Sequence, residues 1–125
     1  MAKRKRLADD QTILQAIIEA MHEKKAVDIL TINFSEIKNT ICDYFVICSG
    51  MNKPQVEAIS DSVYGKLRKT YSLHPQAIEG IQNAEWILLD YGSIVVHIFM
   101  EYTRKFYRLE DLWADAKLNY YDNLV

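Results

Sequence analysis

The residues best suited to chemistry are a Ser49-Gly50 pair closing an apolar run, together with the carboxylates Glu57, Asp61 and Asp90. A Gly/Ser turn after one strand, facing paired acids on its neighbour, is a way to hold divalent metal ions for nucleotidyl transfer. Here Glu57 and Asp61 fall in a helix-like stretch and Asp90 stands apart, so no two-metal clamp is expected. His22, His74 and His97 are scattered, without Cys-x-x-Cys or His-x-x-x-His spacing, and no metal site is expected. The single glycine of Ser49-Gly50-Met51-Asn52-Lys53 is too few for a phosphate-cradling loop, and no Gly-x-Ser-x-Gly elbow occurs. No catalytic residue and no cofactor is therefore predicted, and the chemistry left is that of binding.

The binding candidates lie in a hairpin. Trp86-Ile87-Leu88-Leu89-Asp90 and Ser93-Ile94-Val95-Val96-His97-Ile98-Phe99 flank Tyr91-Gly92, which reads as a two-residue loop. That loop pairs 90 with 93, 88 with 95 and 86 with 97, and sorts the side chains onto two faces. Ile87, Leu89, Ile94, Val96 and Ile98 form an aliphatic face suited to lie under helices. The other face sets Trp86 opposite His97, Leu88 opposite Val95 and Asp90 near Ser93, a mixture of aromatic anchor, apolar and polar groups that resembles an interface. The alternative is a Trp86–His97 pair covered by the chain's own aromatic-rich end. Nine of the 14 aromatics fall in the last 40 residues, more than a small domain readily hides, so an exposed patch for a protein partner is expected.

The elements positioning these residues follow from periodicity. Ile13, Leu14, Ile17, Ile18 and Met21 recur at helical spacing behind a capping Asp9 or Asp10. Residues 26–32 and 41–48 read as strands, the second largely buried. Asn52 followed by Pro54 starts a helix over 53–70, whose Val56, Ile59, Val63 and Leu67 mark one face. A short strand is placed at 77–79, helical turns at 102–107 and 109–116, and no pattern after 116. This order predicts an α/β (α+β) fold with a single mixed β-sheet and helices mainly on one face: the long crossover helix suits a parallel neighbour, and the hairpin is antiparallel.

At 125 residues, half of them hydrophobic, with 4 Gly and 2 Pro, one globular domain is expected rather than a disordered or membrane-spanning chain. Domain limits of 9–116 are expected, with a basic flexible tail at 1–8 and an extension at 117–125. Lys3, Arg4, Lys5 and Arg6 are followed by no signal-peptide apolar run, which points to the cytoplasm. The rest of the chain carries 11 basic against 17 acidic residues and is not built to bind nucleic acid, so only the tail is placed near phosphates, in minor contacts. Cys42 and Cys48, about 20 Å apart if both lie in one strand, read as buried free thiols.

Several stretches taken in order resemble the ribosomal silencing factor (Iojap-like) family: Asp43-Tyr44-Phe45-Val46-Ile47, Ser49-Gly50, Gln55-Val56, Glu79-Gly80, the hairpin through Trp86-Ile87-Leu88-Leu89-Asp90-Tyr91-Gly92, and Phe106-Tyr107-Arg108-Leu109-Glu110-Asp111-Leu112-Trp113. The resemblance spans about residues 10 to 115. It implies a nucleotidyltransferase-like fold without catalysis, binding to the large ribosomal subunit at its protein L-fourteen, steric obstruction of subunit joining with repression of translation, and homodimers. By motif it implies Trp86, Leu88, Asp90, Tyr91, Gly92 and His97 as partner-binding residues, with Arg104 and Tyr107 at the margin. Ser93 stands where the family often has an acid, and Met51-Asn52-Lys53 replaces a small-polar loop. A nucleotidyltransferase, or a dimeric module with another protein partner, remains the alternative.

Overall fold

The computed structural model describes residues 8–37, 40, 42–112 and 115–123, so the basic run at 3–6 and Trp113 lie outside it. Helix α1 (Asp10–Glu23) begins where the Asp9 carboxylate accepts the Thr12 N–H at 2.9 Å, and it buries its aliphatic stripe. Strand β1 (Val27–Asn33) pairs antiparallel with β2 (Tyr44–Gly50). Helix α2 (Lys53–Tyr71) is capped by Asn52, whose side chain accepts the Gln55 N–H at 2.8 Å, and carries Pro54 in its first turn, as its sequence predicts. Short strand β3 (Ala77–Glu79), the hairpin β4 (Trp86–Asp90) and β5 (Ile94–Met100), helix α3 (Glu101–Tyr107), a 3₁₀ turn at Leu109–Asp111 and strand β6 (Lys117–Tyr120) complete the chain.

The six strands form one mixed sheet in the order β3-β4-β5-β2-β1-β6. Only β2 and β5 run parallel, the consequence of the crossover through α2. Helices α1 and α2 cover one face with an aliphatic core that includes Ile17, Ile59, Leu67, Ile87, Val96 and Ile98. The opposite face holds Leu30, Ile32, Phe34, Phe45, Ile47, Phe99 and Leu109 under short segments.

Four details depart from the sequence reading. The hairpin loop is Gly92-Ser93, not Tyr91-Gly92: Tyr91 N–H donates to the Ile94 carbonyl at 2.9 Å, and Trp86 pairs with Phe99, Leu88 with His97 and Asp90 with Val95. Gly92 takes φ +89° at the first loop position, which suits glycine, while the Tyr91 ring is buried under the helices. Every partner thus moves by two residues, and two is the period of a strand, so both faces keep the membership expected of them. Strand β2 starts at Tyr44, leaving Cys42 outside it, and the two cysteines fall in opposite cores. Of the helical turns expected over 109–116, one 3₁₀ turn is present at Leu109–Asp111, and 113 and 114 lie outside the described residues. The patternless end contains β6, which hydrogen-bonds along β1 from Leu30↔Tyr120 to Asn33↔Lys117.

Candidate functional site

Trp86 is the hub of the face turned away from α1 and α2. Its indole N–H donates to His97 Nδ1 at 3.0 Å, its ring stacks on Phe99 with centroids 4.7 Å apart, and Tyr107 of α3 leans on it at 4.9 Å. Phe106 packs edge-on against Tyr107 at 5.1 Å. The rings Phe106, Tyr107, Trp86 and Phe99 therefore form one contiguous series from solvent to core, 80% exposed at Phe106, 49% at Tyr107 and 1% at Phe99. Leu88 is half-buried beside Trp86, and Tyr102 and Leu112 add exposed apolar surface. Such anchors, rigid at the base and open at the tip, are what an interface core requires.

The backbone is shaped to present Trp86. Gly80 has φ +85°, and a Cβ there would meet the Trp86 carbonyl oxygen at 2.0 Å, so the turn at 80–85 folds back on β4 only with glycine. On the far side, α3 is held by Arg104, a buried guanidinium. Its Nη1 donates to Ser49 Oγ at 3.0 Å and to the carbonyl of Asp28, where β1 bulges and φ is +54°. Arg108 closes α3 in a left-handed conformation, its N–H returning to the Arg104 carbonyl at 2.8 Å.

Of the eight residues singled out from sequence, Trp86, Leu88 and Tyr107 share this face with exposed or half-buried side chains. His97, Tyr91 and Arg104 do not reach the surface. His97 is enclosed by Trp86, Phe45 and Phe99, because β5 lies between β4 and β2 in the sheet and all three rings share its face. Burial lowers its pKa to about 4, so the ring is neutral; with Nδ1 accepting from Trp86, its proton sits on Nε2, which has no hydrogen-bond partner among the described residues. Asp90 is engaged in the turn, accepting the Gly92 N–H at 2.8 Å and the Gln76 amide at 3.3 Å. Sequence reasoning singled out Tyr107 on α3 but not Phe106 or Tyr102. The available signal was helical spacing, since 102 and 106 fall on one side of a helix whose other side buries Thr103 and Arg104.

Ser49 is occupied by Arg104, and burial pushes the thiols up to about 11 for Cys42 and about 12 for Cys48. Among the described residues, no group of three or more His, Cys, Asp or Glu is placed to hold a metal ion, and no helix is long and apolar enough to cross a membrane.

Residues 8–124 match the family model described as "Ribosomal silencing factor during starvation". The chain belongs to the ribosomal silencing factor family. Two relatives named ribosomal silencing factor RsfS are each 36% identical to it. That of Halalkalibacterium halodurans aligns over 107 residues, 86% of this chain and 90% of the relative, and that of Bacillus subtilis over 110 residues, 88% and 92%. A crystal structure of a Chromobacterium violaceum protein superposes with a TM-score of 0.80 at 29% identity, covering 90% of this chain and 92% of that one. The matched span includes α3 and β6.

Proposed function

We propose that the protein binds the large ribosomal subunit through its protein L-fourteen, using the aromatic face, and thereby obstructs joining of the small subunit and represses translation in the cytoplasm. One observation carries this reading: the ring series from exposed Phe106 through Tyr107 and Trp86 to buried Phe99 is a rigid apolar anchor on a chain whose family is named for silencing ribosomes. The mechanism is steric, and it asks of the site only a stable surface. Trp86, Leu88, Tyr107 and Phe106 make contact, His97 backs Trp86 and Arg104 holds α3, while Asp90, Tyr91 and Gly92 form the turn that joins β4 to β5. Homodimers using the same face would compete with the ribosome. The basic residues 3–6 would add weak, salt-sensitive contacts to ribosomal RNA.

Cosedimentation with isolated large subunits at moderate salt, alongside a subunit-joining assay, tests the proposal. Wild type is expected to run with large subunits and block joining. Phe106→Glu, folded by circular dichroism, is expected to lose both, because a charge at a desolvated interface centre goes unpaired. Wild type that stays at the top of the gradient would refute the proposal.

A further inference from the structure

Beside Trp86 lies a pocket of about 150 Å³ lined by Gly80, Asn83, Glu85, Trp86, Thr103 and Tyr107. Tyr107, half exposed, borders it together with the Trp86 ring it packs against at 4.9 Å, and Glu85 is a half-buried acid on the same lining. The Tyr102 hydroxyl donates to Glu85 Oε2 at 3.0 Å and fixes the acid in place. No lysine or arginine lines the pocket, and the cations nearest in sequence are engaged elsewhere: Arg104 with Ser49, Lys105 with Glu101 at 3.9 Å, and Arg108 with Asp111 at 2.7 Å.

We infer that this pocket receives a lysine or arginine side chain of the protein partner, which makes the aromatic face selective for a basic anchor. The inference rests on the reading of that face as an interface and names what it recognises. The exposed part of the Tyr107 ring attracts a cation through its quadrupole, and the Glu85 carboxylate accepts a charge-assisted hydrogen bond from the same head group. An acidic anchor would be repelled by Glu85, and an apolar one would desolvate the carboxylate without pairing it. The chain beyond the basic run, with 17 acidic against 11 basic residues, favours approach of a basic partner.

The test has two arms. In the first, large-subunit binding is measured for wild type, Glu85→Gln and Glu85→Lys, with thermal melting confirming that each is folded. Glu85→Gln is expected to weaken binding about tenfold and Glu85→Lys to remove it. Equal binding by all three would overturn the inference while leaving the ribosomal reading intact. In the second arm, hexa-arginine is titrated into the Trp113→Phe protein, whose emission then reports Trp86. A response whose midpoint rises at least about fivefold with Glu85→Gln supports the pocket; no response, or a midpoint indifferent to Glu85, overturns it. Because the peptide arm needs no ribosome, failure of the wild type to bind large subunits counts against the proposed function alone.

Discussion

Residues that alternate along β5 enter two unlike environments. Ile94, Val96 and Ile98 meet two long amphipathic helices, whereas Val95, His97 and Phe99 meet aromatic rings and short connecting segments. The first cover is complete and aliphatic, and side chains there are interchangeable as long as volume is kept. The second cover stops short, so its rings grade from enclosed to exposed, and its one histidine is sealed with no partner for Nε2 among the described residues. One face is devoted to holding the sheet together, and the other leaves apolar rings in solvent.

Truncating the helical face should break the fold and not the recognition. Leu67→Ala removes a fully buried side chain of α2 and is expected to cost about 2–5 kcal/mol in urea denaturation, with the folded fraction still binding large subunits. The aromatic face should carry the acid sensitivity. His97 has a pKa of about 4 folded against an ordinary 6.5, so the unfolded chain binds the extra proton between these values. Stability is then full above pH 6.5 and falls on acidification towards pH 4, by up to about 3 kcal/mol, and His97→Phe should flatten that slope in pH-dependent melts.

A smaller effect is expected at the seam between the two regions. Arg104→Met leaves Ser49 Oγ and the Asp28 carbonyl without their donor, at about 1–3 kcal/mol, and loosens α3 so that large-subunit binding weakens as well; Arg104→Lys should recover part of both. The smallest change in stability belongs to the outermost ring. Phe106→Ala is expected to shift denaturation by less than about 0.5 kcal/mol yet weaken large-subunit binding more than any helical-face variant. Equal loss of binding from Leu67→Ala and Phe106→Ala would erase the distinction between the faces.

How much was legible in the sequence follows the same division. Helices α1 and α2 announce themselves by long apolar periodicity and by Asp9 and Asn52 as caps, signals that are local and strong. The sorting of β4 and β5 into faces survived an error in the loop because strand parity is insensitive to a shift of two. The burial of His97 is not visible in alternation along β5, because its cover comes from other strands, the Phe45 ring of β2 and the Trp86 indole of β4. Arg104 reads as a rim charge because sequence shows its charge and not the Ser49 hydroxyl and Asp28 carbonyl that receive it. In β6 only Leu118 packs inward among four residues, too weak an alternation to detect, and the strand exists because β1 offers it an open edge.

That last strand has a consequence for how the molecule is completed. Leu30 and Tyr120 lie far apart in sequence, so β6 joins only after a long loop has closed, a slow step compared with forming α1 or the hairpin. Until it joins, β1 presents unpaired N–H and C=O groups, the kind of edge on which chains stick to one another. Residues 117–120 therefore move the sheet's edge outward from the seven-residue β1 to a strand of four residues, a shorter template for another chain to pair with.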